Sequence, residues 1–219
     1  ERMDMQLSVK ELAKGVRKPK NYSMRNLKLL TRYLRGRPTA SNVYELEGVS
    51  AFIDTNVDSD WAGEKPSMKS TSGGVLMWGR SLLKSWSTTQ TTIAMSSAEA
   101  ELYAMSKCAQ QCMSIASLAA DFEMPLKPVI YSDATAAIGI AYRSGLGGKT
   151  RHVKVQYLWI QGALQKKELA LEKVGTADNP ADVLTKFVAS ELMSKHVHSM
   201  GYKFPEHAIS LEILSHSLR

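Results

Sequence analysis

The feature that most limits how this chain can fold is a long amphipathic helix set among β-like runs. From about residue 97 to 121, Ala98, Leu102, Met105, Ala109, Cys112, Ala116 and Ala119 recur at helical spacing and make one apolar stripe. Before it come "VSAFIDTNVDSDWAG", a β-like run ending in acidic residues, and then "SGGVLMWG" and "SLLKSWST", which read as a hairpin turning near Gly79–Arg80. After it come the strand "PVIYSD", a helix from about 134 to 143, the glycine-rich loop "SGLGGKTRH" and a helix over 153–166. The strand "LALEKV" follows, then a helix opened by "DNPADVLTK", where Asn179 can cap and Pro180 suits the first turn. This order predicts a mixed α/β sheet covered by helices. No internal repeat or low-complexity tract interrupts it.

The long helix begins at "MSSAEAEL", with two glutamates two positions apart. Ser96-x-x-Glu99 fits a capping box, in which the serine caps free amides and the glutamate reaches back. Helical geometry places Glu99 toward solvent and the cap, and Glu101 at the border of the apolar stripe. An acid at that border is costly unless a cation shares the site. Asp58 lies in the first strand, Asp133 at the C-terminal end of another, where α/β sheets commonly place ligands, and Asp182 in the first turn of the last helix. Asp182 there also complements the helix dipole, which is its plain structural reading. Four acids from four elements, with no histidine or cysteine among them, favour a hard, oxygen-preferring ion such as Mg²⁺ or Mn²⁺.

The chain has 219 residues, 44% of them hydrophobic, enough for one sizeable core and an extra lobe. No apolar run approaches the length of a membrane helix, so no membrane partner is expected. It opens at "ERMDMQLSVKELAKG", already inside a helical pattern, and is expected to be a piece of a longer polypeptide. Its two cysteines, Cys108 and Cys112, lack companions for a metal set and are expected to be reduced, packed thiols of an intracellular protein. Residues 1–40 carry a net charge of +8, whereas the remainder is near neutral at −1. In "NYSMRNLKLLTRYLRGRP", Met24, Leu27, Leu30 and Leu34 form an apolar stripe, and Arg25, Lys28, Arg32 and Arg35 gather on another face. That face is either simply solvated or a surface that tracks phosphates. Residues 36–47 read as a linker to the second unit.

"VDSDWAG", "KSTSGGVLMWG", "SWSTTQTTIAMSSAEAELYAM", "VIYSDATAAIGIA", "KTRHVKVQYLWIQ" and "LEKVGTADNPADVLTK" together resemble the ribonuclease H domain of copia-type (Pseudoviridae) retrotransposon polyproteins. The resemblance covers about residues 48–187, with the motifs in order. "QLSVKELAKGVRKPKNYSMRNLKLLTRYLRGRP" resembles the end of the adjoining reverse transcriptase and its connection. Three regions follow: a basic, helical remnant over 1–47, the ribonuclease H-like domain over 48–187 and a C-terminal tail over 188–219. The resemblance implies an RNase H-like α/β fold, a five-stranded mixed sheet flanked by helices. It also implies endonucleolytic cleavage of the RNA strand of RNA–DNA hybrids during reverse transcription, with the reverse transcriptase body as a partner. The implied location is intracellular, in a cytoplasmic retrotransposon particle or the nucleus.

By motif, the catalytic and metal-binding acids are Asp58, Glu101, Asp133 and Asp182, with Asp54 and Asp60 as rivals for the first position. They would hold two Mg²⁺ or Mn²⁺ ions ~4 Å apart, one activating water and the other stabilising the leaving 3′ oxygen. The RNA 2′-hydroxyl distinguishes the cut strand. Thr71, Ser72, Gly73, Arg151, His152 and Lys154 are candidate strand contacts, beside the basic face of Arg25, Lys28, Arg32 and Arg35. Imidazole is a poor ligand for Mg²⁺, so His152 is not expected to bind the ions. Many cellular ribonucleases H carry a histidine before the last acidic helix. Here the loop is "VGTADNPAD", with Asp178 as a partial substitute. A non-catalytic nucleic-acid-binding relic of the same fold is the alternative. A DNA strand-transferase fits less well, because no His/Cys cluster accompanies the acids.

Overall fold

A computed structural model of the chain describes residues 2–44, 50–65, 67–144 and 158–205. After a 3-10 turn at Met3–Met5 come α1 (Gln6–Lys14), α2 (Asn21–Gly36) and the short β1 (Ser41–Asn42). The sheet is then laid down as β2 (Phe52–Glu64), β3 (Lys69–Trp78) and β4 (Ser81–Thr89). The chain continues through α3 (Ser97–Asp121), β5 (Lys127–Ser132), α4 (Thr135–Ala141), α5 (Trp159–Gln165) and β6 (Ala170–Lys173). Two 3-10 turns, Thr176–Asp178 and Pro180–Leu184, lead to α6 (Ser190–Ser199) and β7 (Tyr202–Lys203).

The main sheet has the order β4-β3-β2-β5-β6. β2, β3 and β4 are antiparallel neighbours, while β5 runs parallel to β2 and β6 parallel to β5. This is a five-stranded mixed sheet with flanking helices, as the resemblance implies. The β3–β4 hairpin turns through Gly79 and Arg80, and Gly79 adopts φ +57, the sign that two-residue hairpin turns demand. α3 must follow β4 and deliver the chain back to β5 beside β2, so it crosses one face of the sheet. Its stripe side, with Leu102, Met105, Ala109 and Cys112 fully buried, packs with Ile53, Val57, Leu76 and Ile130 into the larger core. The helical small residues let α3 lie close to the strands.

The opposite face carries a second apolar cluster. Val75, Met77 and Leu82 of the sheet meet Met3, Ala181, Val183, Leu184, Val197, Met200 and Tyr202. The two ends of the described chain therefore pack on the same face, where β1 and β7 pair antiparallel, Ser41 with Lys203 and Asn42 with Tyr202. Residues 190–199, which resembled nothing in sequence, form an ordinary helix with Val197 buried.

One expectation needs correction. The segment opened by "DNPADVLTK" is a five-residue 3-10 turn, Pro180–Leu184, and not a longer helix. Ala181, Asp182, Val183 and Leu184 are all buried, so the turn is enclosed by tertiary contacts on every side and has no free face to extend as an amphipathic helix. The stripe of α2 does form a helix, but no residue of α2 is buried: Met24 is 53% exposed and Leu27 47%. Leu30, on the same stripe, is half-buried and lines a cavity with Leu7 and Leu12 of α1 and with Val183. α2 is tethered through Tyr33, whose hydroxyl donates to Asp4 Oδ2 at 2.8 Å, and through Arg2, which donates to the Arg37 carbonyl at 2.9 Å.

At the centre of β3, Gly74 lies under the Trp86 ring, and a Cβ placed there would stand 2.0 Å from Trp86 Cζ2. Trp86 is buried and has no space to retreat into. Gly74→Ala should cost about 1–3 kcal/mol by overpacking, read as a lowered urea midpoint with unchanged slope. An unchanged midpoint would show that the ring is not locked there.

Candidate active site

β2 alternates its side chains, so Ile53 and Val57 enter the larger core while Asp54, Asn56, Asp58 and Asp60 share the other face. Asp58 is buried, and its partner across the ladder is Gly73. A Cβ on Gly73 would lie 2.7 Å from Thr185 Cγ2 and 3.0 Å from the Ala181 carbonyl. Glycine here lets the Pro180–Leu184 turn settle directly on the sheet. Asn179, fully buried, fastens that turn: its Nδ2 donates to the Val57 carbonyl at 2.9 Å, and its Oδ1 accepts from the Ala181 amide at 3.2 Å. Asp182 is thereby held beside Asp58, and the Thr185 hydroxyl donates to the Asp58 carboxylate.

α3 brings the third acid. Glu101 is 7% exposed, and its Oε1 accepts from the Ser59 amide at 3.1 Å. Its other oxygen, Oε2, is buried with no hydrogen-bond partner. Asp133 follows the last residue of β5, at the strand's carboxyl end. Carboxylate oxygens of Asp58, Glu101 and Asp133 lie within 4.8 Å of one another. Asp182 stands outside that group and is ion-paired with Lys186, at 3.0 Å. Lys186 Nζ is also 3.9 Å from Asp58 Oδ2.

Such crowding shows in the acidities. Burial, reinforced by the charges of Asp58 and Asp133, pushes Glu101 up to about 9, against the opposing Ser59 amide. Burial likewise pushes Asp58 up to about 6, with the Thr185 hydroxyl and Lys186 pulling the other way. Asp182 is raised by burial despite its bond to Lys186. These carboxylates are paired more with each other than with cations. A divalent ion answers that arrangement, since it supplies countercharge and a partner for the orphaned Glu101 oxygen. Oxygen-only donors suit Mg²⁺ or Mn²⁺ better than a thiolate- or imidazole-seeking metal.

The remaining sequence expectations sort as follows. Of the rivals, Asp54 is half-exposed and accepts from the Tyr131 hydroxyl at 3.3 Å, while Asp60 pairs across the ladder with Thr71; neither belongs to the close group. Glu99 departs from its expected place. It is buried, not solvent-facing, because the segment before α3 folds over it: its Oε2 accepts from the Met95 amide at 2.9 Å and its Oε1 from the Tyr103 hydroxyl. The serine half of the capping box holds, with Ser96 Oγ accepting from the Glu99 amide at 3.2 Å, while the Glu99 carboxylate takes the Met95 amide, one residue before the cap. Thr71, Ser72 and Gly73, expected at a strand-contacting surface, are buried inside the protein: Lys10 donates to Thr71 at 2.6 Å and Gln90 to Ser72 at 2.9 Å. Arg25, Lys28, Arg32 and Arg35 are exposed on α2. Arg151, His152 and Lys154 lie outside the described residues. Asp178 is on the surface, paired with Lys195 at 2.7 Å.

Sequence reasoning missed Gln90 and Lys186, and saw in Asn179 only a cap. Gln90 Nε2 donates to Ser72, to the Ala100 carbonyl at 2.8 Å and to Ser59 at 3.3 Å, joining β2, β3 and α3 behind the acids. The signal for Lys186 was its place four residues after Asp182, the spacing of a helical ion pair.

No family model matches the chain. It is 28% identical over 202 residues to the retrovirus-related Pol polyprotein from transposon RE1 of Arabidopsis thaliana, covering 91% of this chain and 14% of that protein. It is 27% identical over 188 residues to the corresponding polyprotein from transposon TNT 1-94 of Nicotiana tabacum, covering 85% of this chain and 14% of that protein. Among solved structures, LC11-RNase H1, isolated from compost, is 15% identical with a TM-score of 0.48, covering 68% of this chain and 99% of that one. These homologues are retrotransposon Pol polyproteins, and the chain spans about one seventh of the length of each of the two.

The two glutamates should separate by experiment. A carboxyl whose folded pKa is raised favours the fold most below its unfolded value, near 4.5, and loses that contribution as pH climbs toward 9. In chelator, Glu101→Gln should therefore be the more stable protein at pH 8, with a flatter decline of melting temperature between pH 5 and 9 than the unsubstituted chain. Glu99→Ala should lose about 1–3 kcal/mol, because the Met95 amide and the Tyr103 hydroxyl each lose the carboxylate they donate to. A Glu101→Gln protein that melts earlier than the parent at pH 8 would contradict the assigned burial of charge.

Proposed function

We propose that this chain, whose homologues are retrotransposon Pol polyproteins, is the ribonuclease H portion of a copia-type polyprotein and hydrolyses the RNA strand of RNA–DNA hybrids. The observation that carries the reading is the group of buried Asp58 and Glu101 with half-buried Asp133, oxygens within 4.8 Å, set where the central strand β2 runs past the carboxyl end of β5, with Asp182 alongside. These four residues would hold two Mg²⁺ or Mn²⁺ ions. When bound, such ions activate water for in-line attack at phosphorus and neutralise the leaving oxygen.

The chain's own residues supply the frame. Asn179 and Gly73 place Asp182 beside Asp58, and the Ser59 amide fixes one oxygen of Glu101, leaving the other turned to the site. Gln90 ties the two strands to α3, so that the acids keep their spacing. The basic face of α2 would follow the phosphates of the hybrid outside the reaction centre, and its exposed leucines would meet the reverse transcriptase body. Residues 1–47 are then the end of that reverse transcriptase and its connection, and residues 48–187 the nuclease, working in a cytoplasmic particle or the nucleus. Retention of all four acids speaks for an enzyme over an inactive relic.

With a labelled RNA–DNA hybrid and Mg²⁺ or Mn²⁺, the chain should cut the RNA strand alone, and Asp58→Asn or Asp133→Asn should reduce cutting to background. Equal cutting by both variants, or cutting of double-stranded DNA at the same rate, overturns the reading.

The role of α2 is tested by changing Arg25, Lys28, Arg32 and Arg35 together to glutamine. The fold should survive, since none of them is buried. If each meets a phosphate, the slope of log affinity against log salt should fall by about 3–4. An unchanged slope would mark the helix as simply solvated.

A further inference from the structure

The four acids divide unevenly. Asp58, Glu101 and Asp133 approach one another, and the buried, unpartnered Glu101 Oε2 points to a cation shared by that trio. Asp182 instead gives its Oδ1 to Lys186, whose ammonium is 3.0 Å away and which also lies 3.9 Å from Asp58 Oδ2. One lysine therefore stands between the first acid and the last. Its stem is half-exposed, with 43% of the side chain open to solvent, so it can leave without disturbing the core.

The geometry points to Lys186 as a built-in cation that occupies the Asp58–Asp182 side of the site, so that one divalent ion binds first at Asp58, Glu101 and Asp133 and a second binds only once Lys186 has swung out. This rests on the nuclease reading and deepens it. In the ion-free protein, two buried acids without countercharge would be costly, and the ammonium relieves that cost. The same charge then opposes a second cation at Asp182 by ordinary repulsion in a poorly solvated site. The carboxylates of Asp58, Asp182 and Asp133 all favour the charged lysine, more than offsetting its partial burial. Asp60 also feels its charge. A phosphate of the hybrid offers the released lysine an alternative partner of the same sign, which couples arrival of substrate to opening of the second ion position.

Calorimetric titration of Mn²⁺ into the full chain without nucleic acid tests the inference. The unsubstituted protein should take up one ion well, with any second at least tenfold weaker. Lys186→Met should bind two, or tighten the weaker site by about tenfold, and Lys186→Arg should behave like the parent. In chelator Lys186→Met should melt below the parent, and excess Mn²⁺ should close that gap. Two ions bound with similar affinity by the unsubstituted chain overturn the inference without needing any variant, as does a Lys186→Met protein whose stoichiometry and affinities match the parent. If the parent binds no divalent ion at all, the nuclease reading falls with it.

Discussion

The site hangs on the side-chain amide of Asn179. With one end it donates to a backbone carbonyl of β2, and with the other it accepts from the amide of Ala181 in the turn that carries Asp182. No other side chain of similar size does both. Aspartate cannot donate to a carbonyl, and serine does not span the gap with separate donor and acceptor atoms. Because Asn179 is fully buried, loss of either bond would leave a main-chain group without a partner in a dry place. The absence of a side chain on Gly73 is the complement of this bond: the amide draws the turn down and the glycine gives it somewhere to go. The spacing of Asp58 from Asp182, and the reach of Lys186 to both, follow from that seating.

Around this fastening the protein concentrates a charge that works against its own stability. Three carboxyl groups are held together beside the central strands, where burial makes Asp58 and Glu101 weaker acids, and the relief comes from the Thr185 hydroxyl, the Ser59 amide and one ammonium. Elsewhere the fold is locally consistent, with apolar faces matched to apolar faces on both sides of the sheet. Crowded, buried carboxylates are a violation of burial rules of the kind that proteins concentrate at functional sites. The structural frame behind the acids is correspondingly rigid: Gln90 binds β2, β3 and α3 together through one amide nitrogen.

Much of this was legible in the residues. The hairpin, α3 and the strand before Asp133 declared themselves because alternation and helical periodicity are local properties. Glu101 could be placed because a helix fixes the angle between neighbouring side chains. Glu99 was misplaced for a related reason. The same angles put it away from the core stripe, but the segment before α3 wraps back over it, and that is a tertiary event no helical wheel contains. The Pro180–Leu184 turn was taken for a longer helix because its capping residues are those of a helix, whereas its brevity comes from being enclosed. Thr71 to Gly73 looked like a polar surface, yet their polarity serves Lys10, Gln90 and the docking turn. The pairing of β1 with β7 joins residues some 160 positions apart, and nothing local announces it.

The nakedness of α2 has a further consequence. A helix with no buried residue contributes little to the core, and changes on such a surface typically alter folding energy by less than about half a kcal/mol. The acids and their frame enjoy no such freedom, because Asp58, Glu101, Asp182, Asn179 and Gln90 are all buried. Mutation therefore meets two very different regimes in one chain. Drift on α2 can alter what that surface meets while the acidic group tolerates little change. The chain can in that way change what holds it without changing what it does.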